Sequence, residues 1–196
     1  MKQPAKLIGI RNITISGRIG TGKTTLANHL SEVLNWSVLD GGKIFRKLAH
    51  ETGMHIKDSG KRSDDFDLAY EEKIKKILTD ENNNIIQSHL AGFDAQGIDE
   101  VYKILVICRN KMGEDKQSIR IDRLMNRDNI HADEARHEIL ERENQDLEKF
   151  RRLYANGDKN WFFWDNKYYD LIVNTYELSP LESLDFVLNS IGFRKS

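Results

Sequence analysis

Cysteine, net charge and long apolar runs are all scarce in this 196-residue chain. The one cysteine, Cys108, cannot form an internal disulfide, so a reducing cytosol is its natural setting. Its place at the end of the apolar run KILVIC marks it as a buried small hydrophobe. Lysine and arginine total 30 against 31 aspartates and glutamates, a formal net charge of -1. That balance argues against general affinity for a nucleic acid polymer or an anionic membrane surface. No stretch approaches the roughly 20 apolar residues of a membrane-spanning helix. The opening MKQPAKLIGIRN is charged too early for a secretory signal. Repeats and low-complexity segments are absent from the sequence. A cytoplasmic monomer is expected, with residues 1–196 forming one domain around one core.

What the chain does have is glycine in one place. SGRIGTGKTT, residues 16–25, fits G-x-x-x-x-G-K-[ST] from Gly17 through Gly22 and Lys23 to Thr24. The preceding RNITIS is rich in β-branched residues and reads as a strand. The following TTLANHLSEVL places Leu26, Leu30, Val33 and Leu34 on a helical stripe. Between strand and helix, a backbone short of Cβ atoms lets the N–H groups of Arg18, Ile19, Gly20, Thr21, Gly22, Lys23 and Thr24 face one concavity. The helix opening at Gly22 adds its partial positive end. The expected ligand is a polyphosphate.

Four further apolar runs read as strands: residues 36–40, 84–88, 102–108 and 170–174. Helical patterns separate them: one from about Gly42, others over 64–78, 115–127 and 132–155, and a last one that Pro180 opens. Short, continuously apolar strands alternating with helices predict an α/β fold. Its parallel sheet of about five strands has helices on both faces, as in P-loop nucleotide-binding domains. Ligands of such sheets lie beyond the carboxyl ends of the strands, which directs attention to Asp40, to Gln87 through His89, to Arg109 and to Asn174. Gln87 and His89 end a strand expected beside the glycine-loop strand, so they should line an acceptor pocket.

Basic residues recur at helical spacing. Arg120, Arg123 and Arg127 follow i, i+3, i+7, with no carboxylate on their stripe, an arrangement suited to an anion. Arg142, Asp146 and Lys149 repeat the spacing, and pairing of Asp146 with Arg142 is a structural alternative that can coexist with function. Between them DNIHADEA is polar and lacks apolar anchors, so residues 115–155 read as a mobile helical lid over phosphates. LDGGKIFRKLA puts Asp40 at a strand end, Gly41 and Gly42 in a tight turn, and Arg46 on the next helix, where its guanidinium fork suits a phosphate. The segment 41–80 is the expected acceptor-binding region. The aromatic run at Trp161–Trp164 reads as core.

These residues together resemble the cytidylate kinase family of nucleoside monophosphate kinases, in its short form. The likeness spans about Asn12 to Ile191 and rests on SGRIGTGKTTLANHLSEVL, LDGGKIFRKLA, HLAG, RIDRLMNRD, ILERENQDLEKFRRLY and YYDLIVNTYELSP. It implies ATP and Mg2+ as cofactors and a nucleoside monophosphate, above all cytidine monophosphate or its deoxy form, as acceptor. By this resemblance Gly17, Gly20, Gly22, Lys23, Thr24 and Thr25 bind ATP with magnesium. Asp40 and Arg46 face the acceptor, and Arg123, Arg127 and Arg142 close over the migrating phosphoryl group. Phosphoryl transfer needs positioning and charge stabilisation above all. Lys23 would bridge the β- and γ-phosphates, and the Thr24 hydroxyl would ligate the metal. Asp40 is an acceptor contact or a magnesium-shell group.

The chain departs from the family at three points. Gln87-Ser88-His89 stands where the family has Glu-Gly-Arg or Glu-Ser-Arg, whose arginine is expected to touch the acceptor. Gly41 replaces a small hydroxyl residue or alanine, and Lys149 replaces an arginine. Two other readings stand beside the kinase of cytidine monophosphate. One is a kinase of a different nucleotide or a small metabolite, where a hydroxyl acceptor would make Asp40 the candidate base. The other is a nucleotide-binding regulatory module with decayed activity.

Overall fold

The computed structural model describes residues 3–51 and 63–194. Five strands, β1 (Asn12–Gly17), β2 (Ser37–Asp40), β3 (Asn84–Gln87), β4 (Val101–Ile107) and β5 (Leu171–Asn174), form one sheet in the order β2-β3-β1-β4-β5. Every pairing is parallel, with Ile15 opposite Gln87 and Gly17 opposite Val106. Parallel neighbours need crossovers, and here helices supply them. These are α1 (Lys23–Leu34), α2 (Gly41–Glu51), α3 (Asp64–Asp80), the short α4 (Ala91–Asp94), α5 (Gln117–Asp128), α6 (Ala132–Arg136), α7 (Glu143–Tyr154) and α8 (Pro180–Ser190).

Both faces are covered, as the sequence pattern predicts. Leu26, Leu30 and Leu34 of α1 and Leu184, Val187 and Leu188 of α8 pack with Ile13, Ile15, Ile85 and Ile104 on one side. Tyr70, Ile74 and Leu78 of α3 meet Ile86, Ala91 and Val101 on the other. β1 is buried along its whole length, including Asn12, Thr14 and Ser16. Two of these polar groups are satisfied by backbone. The Asn12 amide donates to Leu78 O (3.1 Å) and Glu81 O (2.7 Å), and the Ser16 hydroxyl accepts from Gly92 N (2.7 Å). Those bonds fix α3 and α4 against the central strand. Cys108 is buried just beyond β4, and Trp161 and Phe163 form a third cluster with Leu90, Leu147 and Phe150.

The long helix expected over 132–155 is not uniform. Between α6 and α7 lies a π-helical stretch, His137–Arg142. Its buried side runs Ala135, Ile139, Glu143, Leu147. A four-residue spacing drifts about 40° per step in an α-helix of 3.6 residues per turn, and a wider turn rotates it back. The connection to α5 also carries an apolar anchor that the sequence reading missed. Ile130 packs on Leu124, Ala135 and Ile139.

Candidate active site

The glycine loop follows β1 at the middle of the sheet. Gly17 has φ +147°, and a Cβ there would collide with the Val106 carbonyl; Gly20 has φ +73° with the Arg120 carbonyl 2.6 Å from where its Cβ would stand. Only glycine allows both the turn and the close approach of α5. Lys23 folds back over the loop, its Nζ donating to Gly17 O (2.7 Å) and Arg18 O (2.8 Å). Burial pushes the Lys23 ammonium down to about 7, helped by Arg120 and Arg127 and opposed by Glu143 and Asp40. Without a phosphate beside it, this lysine is poised to lose its charge.

A cleft of about 890 Å3 opens over the loop. Its lining includes Ile19 through Thr25 together with Asp40, Gly42, Gln87, His89, Arg123, Arg127, Arg142 and Asp146. One sequence thus brings nearly all its candidate residues to one place, although they span more than 120 positions of chain. Gly17 and Arg18 lie outside that lining. The Arg46 side chain, and residues 52–62 of the expected acceptor-binding segment, lie outside the described part of the structure.

The β5 side of the cleft holds Arg123, which donates to the Thr175 hydroxyl and to Thr175 O, both at 2.8 Å. The Thr175 hydroxyl also reaches Thr21 O at 2.8 Å, so helix α5, strand β5 and the loop meet at one side chain. Arg127 is half-exposed and chelates its neighbour Asp128 at 2.6–2.7 Å. Arg142 pairs with Glu138 at 2.5 Å and stands 3.8 Å from Asp146, so the alternative pairing of Asp146 is realised inside the cleft.

The β2–β3 side holds Asp40, whose Oδ1 accepts from Lys43 N at 3.1 Å and so caps α2. Thr24 Oγ1 lies 3.4 Å from Gln87 Oε1. His89 packs edge-on to Phe163. Burial holds its imidazole well below the usual range, reinforced by the charges of Lys23, Arg142 and Arg120. His89 is therefore neutral at pH 7 and brings no charge to the cleft. Gly41 has a steric cause: a Cβ would stand 2.6 Å from Ser88 Cβ and 2.9 Å from Gln87 O, with the Tyr70 hydroxyl closer still.

Arg120 overturns one expectation. It does not join Arg123 and Arg127 in facing an anion but is fully buried, 0% exposed, bonded through Nη2 to Glu143 (2.7 Å) and 3.5 Å from Asp115. The Arg18 side chain turns away from the cleft to the same carboxylates, Glu143 at 2.5 Å and Asp115 at 3.1 Å. The Ile19 amide, expected to face phosphate, donates instead to Glu143 Oε1 at 2.9 Å. Lys149 is likewise buried and ion-paired with Asp67.

Asp67, Tyr70 and Glu71 of α3 also line the cleft and were not singled out from sequence. Their i, i+3, i+4 spacing on an inward helix face was the available signal. Glu71 and Asp94 are buried and hydrogen-bonded to each other. Burial raises Asp94 to about 6 and Glu71 well above the carboxylate range, so the pair keeps a proton. Among the described residues no cluster of three or more His, Cys, Asp or Glu side chains forms a metal centre. The Thr24 hydroxyl with Asp40 and Gln87 nearby is a sparse oxygen set, which suits Mg2+ held mainly by phosphates and water.

The chain matches the family model described as an AAA domain over residues 13–151. Curated relatives named cytidylate kinase match nearly end to end. The protein of Haloarcula marismortui is 30% identical over 182 residues, 91% of this chain and 88% of that one. That of Thermoplasma acidophilum is 31% identical over 184 residues, 91% of each chain. Among solved structures, shikimate kinase from Acinetobacter baumannii shares the fold, with TM-score 0.55 at 16% identity over 93% of both chains. An uncharacterized protein from Eubacterium ventriosum gives TM-score 0.63 at 16% identity, over 94% of this chain and 99% of that one. With identity, coverage, the glycine loop and the basic cleft in agreement, the chain belongs to the cytidylate kinase family of P-loop kinases.

Proposed function

We propose that this protein transfers the γ-phosphoryl group of ATP, with Mg2+, to cytidine monophosphate or its deoxy form in the cytoplasm. One observation carries the reading. A single cleft runs from Arg123 and Thr175 on the β5 side, across the glycine loop, to Asp40, Gln87 and His89 on the β2–β3 side. Two phosphate-bearing molecules can enter from opposite sides and meet over Lys23. The family relationship to proteins named cytidylate kinase supplies the acceptor.

In this reading the loop amides from Gly20 to Thr25 cradle the donor phosphates at the N-terminus of α1. Lys23 leaves the carbonyls of Gly17 and Arg18 for the β- and γ-oxygens. The Thr24 hydroxyl is a magnesium ligand, and the metal supplies charge neutralisation across the phosphates. Arg123, Arg127 and Arg142 exchange their present partners for the migrating group as the lid closes. Arg46 holds the acceptor phosphate. Gln87, which can donate and accept, reads the base edge, and neutral His89 offers one donor. An acceptor phosphate oxygen is already anionic, so no general base is needed and Asp40 serves to hold α2. The test is ADP release in a coupled assay across the common nucleoside monophosphates, shikimate and gluconate. Cytidine monophosphate should give the highest kcat/KM; no stimulation by any nucleotide would refute the proposal.

A further inference from the structure

Glu143 lies at the first turn of α7, immediately after the π-helical stretch, and is 3% exposed. Neither the cleft lining nor the basic stripe includes it, yet its carboxylate is the most heavily bonded group near the loop. Oε1 accepts the Ile19 amide at 2.9 Å. Oε2 accepts Arg18 Nε (2.9 Å) and Nη2 (2.5 Å) and Arg120 Nη2 (2.7 Å). Asp115 closes the far side of both guanidiniums at 3.1 and 3.5 Å. Arg18 is further seated on the Trp164 ring, 4.7 Å from its centroid. Two arginines and two carboxylates thus balance in a knot, buried at Arg120 and Glu143 and part-exposed at Arg18 and Asp115, that joins four segments: the loop, the 109–116 connection, α5 and α7. The knot touches the loop at its first turn, where Gly20 leans on the Arg120 backbone.

Bare packing does not demand this arrangement. Buried ion pairs are often no more stabilising than apolar residues of equal volume, but they define one geometry. The elements fixed here carry Lys23 on one side and Arg123, Arg127 and Arg142 on the other. Adjacent residues Arg142 and Glu143 divide the work, one half-exposed in the cleft and the other anchored inside.

We propose that Glu143 is a positioning residue that couples the glycine loop to the base of the lid, so that the phosphate cradle and the arginine-bearing helices keep one fixed relation. Its effect on turnover rests on the phosphoryl-transfer reading, whereas the mechanical coupling can be measured without any substrate. The full chain would be compared with Glu143→Ala, Glu143→Asp and the double variant Glu143→Ala/Arg120→Met, the last removing the cation that Glu143→Ala orphans. The substrate-free readout is amide exchange at Ile19 by NMR. It should accelerate at least ~100-fold in Glu143→Ala and in the double variant, which lose the acceptor. With ATP and cytidine monophosphate, kcat should fall at least ~30-fold while the acceptor KM moves less than ~3-fold, and Glu143→Asp should recover part of the loss.

The double variant separates positioning from stability. Its Tm should return toward that of the wild type while kcat stays low, and it serves in place of Glu143→Ala if that variant does not fold. Recovery of kcat together with Tm, or unchanged Ile19 exchange, would overturn the proposal. If the wild type consumes no ATP with any nucleotide while Ile19 exchange responds as stated, the coupling stands and the kinase reading fails.

Discussion

A lysine whose charge depends on its ligand must take up a proton when that ligand binds. Lys23 sits at about 7 with only carbonyls as partners, chiefly because it is buried. Set between phosphate oxygens it should return toward its ordinary value of about 10.4. The proton uptake follows from the neutral fraction of the free protein, about 0.9 at pH 8, about 0.5 at pH 7 and about 0.1 at pH 6. At pH 8 the ATP phosphates are already ionised, so the uptake belongs to the protein. Calorimetric titration with MgATP in Tris and in HEPES, whose ionisation enthalpies differ widely, reads it as the dependence of apparent enthalpy on buffer. The expected slope at pH 8 is about 0.9 proton, falling steeply toward pH 6. Lys23→Met, titrated at higher concentration, should show almost none. A slope below ~0.2 at pH 8, or an equal slope in Lys23→Met, would refute the assignment of Lys23 as a buried lysine recharged by phosphate.

The two arginines three residues apart on α5 should behave oppositely. Arg120→Ala takes from buried Glu143 one of its two arginines, leaving Arg18, and should cost about 3 kcal/mol in denaturant unfolding; Arg123→Ala should leave Tm nearly unchanged and lower kcat ~100-fold. Equal effects at both positions would contradict the structure. Glu71 and Asp94 hold a proton that unfolded carboxyls release near pH 4, so the native state binds more protons and loses stability as pH rises through about 6. Glu71→Gln removes that penalty: its Tm advantage over the wild type should grow from pH 4.5 to pH 7.5, and a flat difference would count against the shared proton. His89→Arg should lower the KM for cytidine monophosphate by supplying a permanent charge, and lower the Tm of the free protein by burying it beside Lys23 and Arg142. An unchanged KM would remove His89 from the acceptor pocket.

The sheet, the glycine loop and most of the cleft were legible because local chemistry dictates them. A strand, a turn that only glycine can make and an amphipathic helix specify the phosphate site without long-range information, and β-branched runs between helical stripes specify parallel strands. The reading failed where partners come from far along the chain. Arg120, Arg123 and Arg127 are alike in spacing, but only the fold brings Glu143 and Asp115 to the first of them. Whether the Ile19 amide faces a phosphate or a carboxylate depends on α7, 124 residues away. His89 looks like an ordinary histidine until Lys23, Arg142 and Arg120 surround it. Gly41 reads in sequence only as a departure from the family, whereas the Tyr70 hydroxyl and Ser88 already occupy the space a side chain would need.

The strand order has a consequence for how the protein is made. Central β1 leaves the ribosome first, but its neighbours are β3, where Ile13 meets Ile85, and β4, where Asn12 meets Val101. The Thr175 hydroxyl that steadies Thr21 arrives 154 residues after it. At a synthesis rate of about 5–20 residues per second, β1 waits roughly 4–14 seconds for β3, its first neighbour to emerge. A nascent chain carries the whole glycine motif in residues 16–25, yet that loop lacks its Thr175 support until a further 154 residues beyond Thr21 have emerged. Ribosome-bound chains stalled at increasing lengths should therefore acquire ATP binding late and abruptly, after β5 clears the exit tunnel.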